Sequence, residues 1–525
     1  MKTKTNFIAT TLFSIVYFLL PIISLAQDGS LDLTFNNNGI ATTPIGSSNA
    51  LAGPSALSVQ SDGKIIVGGG SFQNGYTGFT IVRYLTNGSL DSTFGNNGVV
   101  FTQIGMSSGI TSIALQNDGK IIVAGNTKLN SSTFNFTAIR YDTNGIPDAT
   151  FGNGGVAMID VENSSNCYNI ALKQNGKIVL SGYSNFNFNT GISLVQLNAD
   201  GTLDTNFGTG GVSIHHFAES PDIEAWAMAL DANEKIVTTG IIYDTILQRN
   251  KISIARFNTN GSMDMGFGIN GITKTSLNNN TDDAGNAVAI QSDGKILIAA
   301  NSLCDAVILR YNSNGLPDSS FGAAGIIVTN FETSECASPY GIIIQSDGKI
   351  IAAGVSGINA LNGNGNFGLI RFNSNGTIDN TFGINGKVAT DLSNGNNDVA
   401  FSVKQHSDGK LIVSGISMNN NYYNFAVSRY NNTITSGIHT TDNQTSEIII
   451  YPNPFLSSAI LQTNKFFNDA ALIFYNSFGQ QVKQIKNISG QTIILYRDNL
   501  QSGLYFIHLV QDNKEILTKK LIITD

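Results

Sequence analysis

The stretch TNGSLDSTFGNNG, residues 86–98, occurs seven times along the chain in closely related forms. In each copy a phenylalanine follows three residues after the aspartate, and two further phrases, of the types SDGKIIVGG and TIVRY, recur once per copy. Three landmarks that share one period indicate a sevenfold internal repeat. The seven aspartates, spaced 54 to 61 residues apart, are Asp32, Asp91, Asp148, Asp204, Asp264, Asp318 and Asp379.

Each repeat predicts four short antiparallel strands. In the second unit these are residues 98–104, residues 111–116, the run KIIVAG after the Asp118-Gly119 turn, and residues 136–141. An Asp-Gly pair between apolar runs is a strong hairpin signal. Such sheets bury their faces when they stack radially, and a closed ring leaves no exposed end. The predicted fold class is therefore all-β, a seven-bladed β-propeller of four-stranded blades, with an open β-solenoid as the alternative.

The two ends of the repeat region predict how the ring closes. The region begins with a single strand, residues 39–45, and it ends after the seventh TIVRY-type phrase, residues 425–430. We expect the first strand to complete the sheet that holds the last three strands, so that both ends of the region meet in one blade.

The repeated turn is predicted to be a structural latch rather than a binding site. Arginines near the end of the fourth strands are close enough in sequence to hold the aspartates, and the phenylalanines are expected to fill the wedge between blades. Unit three has Gln196 instead. Calcium at oxygen-rich turns such as Asp142 to Asp148 is a weaker alternative, because the EF-hand spacing is not met. The arginines are Arg83, Arg140, Arg256, Arg310, Arg371 and Arg429.

Strand alternation sorts the loops onto two faces. The DGK turns and the Asn-Gly turns lie on one face, here called the constant face because these turns hardly differ between units. The loops between strands one and two, and between strands three and four, lie on the other, the variable face. Ligand contacts are expected on the variable face, since binding residues concentrate on loops held by a rigid scaffold.

Acidic and aromatic residues of the variable face are the candidate ligand-binding residues. In units three to seven, the loop between strands one and two contains carboxylates that the first two units lack. These are either solvated loop charges or an acidic rim for a cation or a polyhydroxylated ligand, with aromatic rings for stacking. The predicted ligand-binding residues are Tyr183, Asp222, Glu224, Asp282, Asp283, Glu332, Asp398 and Tyr422.

Composition argues against several functional classes. The net charge is −8 and no basic stripe is present, so no nucleic-acid partner is predicted. The five histidines group with no nucleophile, and phosphate-loop, nucleophile-elbow and zinc-protease motifs are absent. We therefore predict no catalytic residue, no metal site, no cofactor and no enzyme, with a carbohydrate-active enzyme as an alternative.

The N-terminus predicts export. Lys2 and Lys4 precede an apolar run, residues 7–25, that closes with small residues, and cleavage is expected after Ala26. No other stretch approaches the length of a membrane span, so no transmembrane segment is predicted after cleavage. Three cysteines are too few for a disulfide scaffold. Cys304 and Cys336 fall on the variable face in neighbouring units and form the candidate disulfide.

The last segment, residues 448–525, differs in texture from the repeats. It contains short β runs that predict a small Ig-like β-sandwich, and a polar, Thr-rich stretch, residues 433–447, precedes it as a linker. The phrases IIIYPNPF, LQSGLYFIHL and TKKLIITD resemble the sorting domain of the type IX secretion system of Bacteroidetes. This resemblance implies the type IX machinery as a partner, and it implies sorting-motif roles for Pro452, Asn453, Pro454, Gly503, Tyr505 and Lys520.

The repeats resemble the delta-60 repeat family through SDGKIIVGG and NGSLDSTFG, and that family implies a propeller without a settled activity. Asn36 and Glu234 replace glycines of the pattern. The predicted organisation is a signal peptide (residues 1–26), a propeller (27–432), a linker (433–447) and a sorting domain (448–525). The predicted function is a secreted or outer-membrane surface binding module for a glycan or protein ligand, with a structural or adhesive surface protein as the alternative.

Overall fold

The computed structural model describes residues 27–45, 54–130, 133–187, 189–217, 220–277, 280–331, 336–358, 364–419, 422–433, 448–451, 453, 455–476, 480–511 and 514–524. The chain divides into two compact units after Thr433. The predicted signal peptide, linker residues 434–447, Glu332, Pro452 and Pro454 lie outside the described residues.

The first unit consists of four-stranded antiparallel sheets, called blades 1 to 7 in chain order of their innermost strands. Its first strand, β1 (Ile40–Pro44), is the outermost strand of blade 7. The other strands, with the innermost strand of each blade first, are β2 (Pro54–Val59), β3 (Ile65–Gln73), β4 (Tyr76–Tyr84) and β5 (Val99–Thr102) in blade 1; β6 (Ser107–Leu115), β7 (Ile121–Lys128), β8 (Phe134–Tyr141) and β9 (Val156–Ile159) in blade 2; β10 (Ser164–Leu172), β11 (Ile178–Phe186), β12 (Asn189–Leu197) and β13 (Val212–His215) in blade 3; and β14 (Ile223–Leu230), β15 (Ile236–Asp244), β16 (Arg249–Phe257) and β17 (Ile272–Thr275) in blade 4. In the same order, the last three blades contain β18 (Asp283–Ile290), β19 (Ile296–Ser302), β20 (Asp305–Tyr311) and β21 (Ile326–Thr329) in blade 5; β22 (Cys336–Ile344), β23 (Ile350–Ile358), β24 (Asn366–Phe372) and β25 (Lys387–Thr390) in blade 6; and β26 (Asp398–Gln405), β27 (Leu411–Asn419) and β28 (Tyr422–Tyr430) in blade 7.

The predicted closure of the ring is confirmed. Strand β1 pairs antiparallel with β28, with Ala41 opposite Val427, so the start of the repeat region completes the last blade. The innermost strands of successive blades contact one another all the way round, including β2 of blade 1 and β26 of blade 7. The fold is the predicted seven-bladed β-propeller, and a single parallel bridge between Thr77 and Ser107 also links blades 1 and 2.

Apolar clusters between neighbouring blades hold the ring together. Each cluster combines residues of two adjacent blades, and the one between blades 7 and 1 includes Phe35 and Val427 from one side and Leu57 and Ile65 from the other. The repeated phenylalanine is fully buried in every unit, as the wedge prediction requires. No blade can bury both of its faces alone. The seven clusters between neighbouring blades therefore close the ring and stabilise the fold at the same time.

The glycine replacements preserve the backbone shape of their turns. Glu234 adopts φ 59° where Gly119 of the second unit adopts φ 84°, and Asn36 adopts φ 48° where Gly95 adopts φ 53°. These values lie in the left-handed region, which costs a non-glycine residue free energy. Glu234 also accepts a hydrogen bond from the backbone of Gln174 in blade 3, which offsets part of that cost.

The second unit is a separate β structure with its own apolar core. Its strands are β29 (Ile448–Tyr451), β30 (Ser458–Asn476), β31 (Gln481–Tyr496), β32 (Gly503–Gln511) and β33 (Lys514–Ile523), in the order β29-β30-β32-β33 with β31 paired to β30. The two long strands, β30 and β31, break register at several points, which is why the sequence pattern reads as more and shorter strands.

The three pieces of the predicted sorting motif meet in this second unit. Asn453 accepts a hydrogen bond from the backbone of Ile522 at 2.8 Å. Gly503 pairs with Ile523, and the backbone of Lys520 pairs with Phe506. Tyr505 packs in the core and donates its hydroxyl to the carbonyl of Gln501. The motif therefore joins the start of the unit to its last strand.

Candidate functional site

The constant face is occupied by the latch that the sequence predicts. In blade 1, Nε of Arg83 lies 2.9 Å from Oδ2 of Asp91, and its guanidinium lies 4.2 Å from the ring centroid of Phe94. Lys64 of the DGK turn lies 3.2 Å from the same oxygen, and Thr93 donates to the other. Protein donors thus hold both carboxylate oxygens. The lysine was missed from sequence, although every unit has it after the turn.

The variable face has a second repeated contact, which we call the clamp. A residue at the start of the innermost strand binds the start of the third strand in the preceding blade. Oδ1 of Asp222 accepts from the backbone of Thr190 at 3.3 Å, and Oδ1 of Asp282 accepts from the backbone of Asn250 at 2.7 Å. Further clamps among the described residues are Ser164 with Phe134, Asn397 with Gly365, and the disulfide between Cys336 and Cys304.

The clamp gives two predicted ligand-binding residues, Asp222 and Asp282, a role within the fold. Two others, Asp283 and Asp398, are fully buried and accept hydrogen bonds from the backbones of Leu277 and Leu392. These four carboxylates brace loops and do not converge on one site. Tyr422 is exposed in the hairpin of blade 7, and Glu332 lies outside the described residues.

Tyr183 and Glu224 are the two predicted residues that the structure brings together. Tyr183 stacks on Tyr168 with ring centroids 5.9 Å apart, and Trp226 donates its indole N–H to Oε2 of Glu224 at 2.7 Å. Burial raises the pKa of Glu224, and the nearby Asp222 carboxylate raises it further. Burial also raises the pKa of Tyr168 and of Tyr183, and the Glu224 charge contributes to both shifts.

A β-bulge places residues such as Tyr168 and Trp226 on the axis of the ring. Each innermost strand breaks register with its neighbour at the same position, and one residue of the strand is left without a partner there. Bulges re-aim a side chain and are common beside functional sites. The seven bulged residues are Ser55, Thr111, Tyr168, Trp226, Asn286, Tyr340 and Phe401.

The glycine that ends most KIIVAG-type phrases makes room for this bulge. A Cβ atom on Gly182 would lie 1.8 Å from the carbonyl oxygen of Asn166, and one on Gly125 would lie 1.9 Å from that of Gly109. Such approaches are impossible for a side chain, so the glycine allows the inner strand to press closely on the second strand. The equivalent glycines in blades 4, 6 and 7 are Gly240, Gly354 and Gly415.

Side chains at and beside the bulges line a central cavity of about 490 Å³, here called the axial channel. Blades 3 and 4 contribute Tyr168 and Trp226, and blades 6 and 7 contribute Tyr340 and Phe401, whose ring centroids lie 5.5 Å apart. Ala56, Thr111 and Ser112 of blades 1 and 2 are small, which leaves one side of the channel open to a ligand. Trp226 is the single tryptophan of the chain.

The axial channel was missed from the sequence, although a signal exists. The four aromatic residues are half-buried, so part of each ring faces the channel. Each stands where the alternation of its inner strand breaks, in NCYNIAL, EAWAMAL, SPYGIII and VAFSVKQ. Aligning the copies at that position would have exposed an aromatic-rich column among Ser, Thr and Asn.

Among the described residues, no group of three or more His, Cys, Asp or Glu side chains could hold a metal ion. In the same part of the chain, no helix is long and apolar enough to cross a membrane.

The match to solved structures is distant. An unknown function protein from Dyadobacter fermentans is 9% identical, with 75% of this chain and all of that chain covered and a TM-score of 0.42. Polysaccharide lyase Uly1 is 10% identical, with coverages of 73% and 91% and a TM-score of 0.44. The extracellular domain of a hybrid two component system from B. thetaiotaomicron is 13% identical, with a TM-score of 0.38; 92% of this chain is covered, but only 57% of that chain. No curated protein matches the sequence.

Family models match both units. Seven segments match the family described as Domain of unknown function (DUF5122) beta-propeller, at residues 60–94, 116–151, 173–207, 232–267, 291–321, 345–382 and 406–433. Residues 449–524 match the Secretion system C-terminal sorting domain. Both resemblances drawn from the sequence are therefore confirmed, and with them export by type IX secretion. The chain carries seven DUF5122 β-propeller repeats together with a secretion sorting domain that directs it to the cell surface or the medium.

Proposed function

We propose that the exported propeller is a binding module that takes a glycan ligand in its axial channel from the variable face. The observation that carries the proposal is the column of half-exposed aromatic rings, Tyr168, Trp226, Tyr340 and Phe401, around the cavity. A concave site lined by aromatic side chains with a few polar groups is the usual form of a ligand site. On the constant face, the repeated aspartates are already held by the lysines and arginines of the latch or, in unit three, by Lys177 and Gln196.

The direction of approach follows from the course of the inner strands. Each runs from a variable-face loop to a constant-face turn, and in β26 the bulged residue Phe401 lies three residues after the strand begins. A ligand that enters at the variable-face end, here called the mouth of the channel, therefore meets the aromatic column about midway along the inner strands. Rings there present flat apolar surfaces to the C–H face of a sugar, while polar neighbours meet its hydroxyl groups.

Binding rather than catalysis fits the electrostatics of the site. A general base that works near neutral pH needs a pKa brought toward 7. Burial shifts the pKa of Tyr168 and of Tyr183 upward, away from that range. Burial raises the pKa of Glu224, which is toward that range, but Trp226 donates to one of its oxygens, and we assign this carboxyl an orienting role. We propose no catalytic role for any of them.

A glycan array with the mature full chain tests this function. The double variant Tyr168→Ala, Trp226→Ala should lose the binding that the parent chain shows. The matched control is Tyr76→Ala, an exposed tyrosine of blade 1 in the hairpin between β3 and β4, which should bind as the parent does. Absence of any specific glycan signal, or equal loss in the control, would contradict the proposal and favour an adhesive or structural role.

A further inference from the structure

Among the described residues, the axial channel contains a positive charge, Lys404, that has no ionic partner. Lys404 lines the cavity three residues beyond Phe401, toward the constant face. Its side chain is open to the water of the channel, yet the surrounding walls desolvate the ammonium group and lower its pKa. Within the described part of the chain, no carboxylate lies at ion-pair distance from it, whereas the lysines of the DGK-type turns each pair with a repeated aspartate.

Lys404 is also unusual among its counterparts. The equivalent position of the other inner strands holds Ser58, Ala114, Ala171, Ala229, Ala289 or Ile343. An ammonium group that lines a cavity and has no counter-ion among the described residues can pair with an anionic ligand there. No structural contact among the described residues accounts for this lysine, which points to an anionic ligand.

Two asparagines in the cavity wall, Asn169 and Asn286, offer hydrogen-bond acceptors. The Asn169 amide donates to the carbonyl of Trp226, and the Asn286 amide donates to Oδ1 of Asn301 and to the carbonyl of Pro339. The Oδ1 atoms of Asn169 and of Asn286 accept no hydrogen bond from any described residue. Since an amide oxygen accepts only, its natural ligand partner is a donor such as a hydroxyl group.

Charge is ordered along the axis. Glu224 precedes the bulge of its strand by two residues, whereas Lys404 follows the bulge of its strand by three. At ~3.3 Å per residue this separates the two charges by on the order of 15 Å along the channel. The negative group thus lies toward the variable face and the positive group toward the constant face, which favours a ligand that enters from the variable face with an acid at its leading end.

We propose that the axial channel binds the terminal uronic acid of an oligosaccharide, with the carboxylate at Lys404, hydroxyl groups at Asn169 and Asn286, and sugar faces on the bulged aromatic rings. The proposal rests on the proposed function and specifies its ligand class. The cavity of about 490 Å³ is within the ~300–1,000 Å³ typical of ligand pockets. A hydrogen bond between Lys404 and a carboxylate would be charge-assisted on both sides.

The single tryptophan makes the test direct, because emission of the full mature chain reports on Trp226 in the channel alone. The probes are disaccharides that end in glucuronate, galacturonate or mannuronate, each paired with its neutral hexose counterpart. At least one acid should shift the emission and bind ~10-fold or more tightly than its counterpart, the effect of one charged hydrogen bond. Lys404→Gln should abolish this preference, and Lys404→Arg should retain it.

Lys387→Gln is the matched control, since Lys387 lies on the outermost strand of blade 6, and it should leave the preference intact. No emission change with any of the three acids overturns the proposal, as does an acid preference that survives Lys404→Gln. Glycan-array binding in either case would leave the proposed function standing. A silent array would contradict the proposed function itself.

Discussion

Nζ of Lys173 lies 2.5 Å from Oε1 of Gln196 and 2.8 Å from the carbonyl oxygen of Thr259 in the next blade. In five other units the latch arginine makes the equivalent contact, as Arg83 does with the carbonyl of Thr143. Unit three lacks the arginine, and a lysine from the end of β10 supplies the missing cation. Lys173 also lies 5.7 Å from the ring centroid of Phe207.

This pair predicts a compensated exchange. Lys173→Gln should lower stability by about 1–3 kcal/mol, because the carbonyl of Thr259 and the Gln196 amide lose a charged partner in a buried place. Gln196→Arg should also destabilise, because two cations would then crowd one site. The double variant restores the arrangement of the other blades and should recover most of the loss. Thermal melting of the four proteins measures the coupling; additive effects would contradict it.

The repeat made the scaffold predictable from the sequence. The turns, the buried phenylalanines and the pairing of β1 with β28 follow from patterns that recur seven times. A substitution in one copy therefore does not hide the pattern that the other copies share. Residues that serve the site do not recur in every unit: Tyr168, Trp226, Tyr340 and Phe401 share one position, which holds Ser, Thr or Asn in the other units. Lys173 is a similar case, because its role depends on a substitution elsewhere in the unit.

The candidate site was only half predictable for a physical reason. Acidic loop residues are visible in sequence, but whether a carboxylate faces a ligand or a backbone N–H depends on the packing of two blades. Asp222 and Glu224 are two residues apart, yet the first accepts a hydrogen bond from Thr190 and the second accepts one from Trp226, which lines the channel. The bulge at Trp226 interrupts the alternation of side chains between the two faces of the strand. Strand periodicity alone therefore assigns residues on one side of the bulge to the wrong face.

The clamp predicts what can replace the disulfide. Cys304 and Cys336 occupy the positions that Asn250 and Asp282 occupy one blade earlier. Cys304→Ser with Cys336→Ser should lower stability by up to ~4 kcal/mol, as expected for a bridge across 32 residues. Cys304→Asn with Cys336→Asp should recover about 1 kcal/mol through the hydrogen bond.

Melting with and without a reductant measures this effect. Reduction should bring the parent chain close to the serine variant and should not change the Asn/Asp variant. Cys167 is fully buried and serves as an internal control, since it should stay unlabelled by thiol reagents until the chain unfolds. Identical melting of all variants would show that this position has no clamping role.

The latch predicts acid sensitivity. Burial alone would raise the pKa of Asp91, but hydrogen bonds from Thr93 and Lys64 and the charge of Arg83 outweigh it and lower the pKa to about 2. The other six repeated aspartates shift in the same direction. A carboxyl with a lowered folded-state pKa stabilises the fold above its unfolded pKa of ~3.9 and loses this contribution as the pH falls.

Melting temperature should therefore be nearly flat above pH ~4 and should fall steeply toward pH ~2. Asp91→Asn should melt lower at neutral pH and show a shallower fall in acid, because one linked proton is gone. Asp62→Asn, an exposed aspartate of the DGK turn, should keep the parent profile. An unchanged acid slope in Asp91→Asn would contradict the linkage.

Ring closure depends on a turn that two chain ends build together. Gly29 donates to the carbonyl of Asn431 at 2.7 Å, as Gly88 donates to that of Leu85 at 2.9 Å within the continuous turn of blade 1. The carboxylate of Asp28 accepts from Arg371 at 2.8 Å and from the backbone of Thr433 at 2.7 Å. The hydrogen bonds of Asp28 thus connect the two halves of this turn, which in blade 1 are joined by the continuous chain.

Asp28→Ala should therefore loosen the closure. The expected loss is about 1–3 kcal/mol, because Arg371 is almost fully buried and keeps only its other partners, while β1 loses its tether. Limited proteolysis should cut the variant first at β1 (Ile40–Pro44). Asp118→Ala, an exposed turn aspartate of blade 2, is the matched control and should resist as the parent does. Equal protease resistance of Asp28→Ala and the parent would show that strand pairing of β1 with β28 closes the ring unaided.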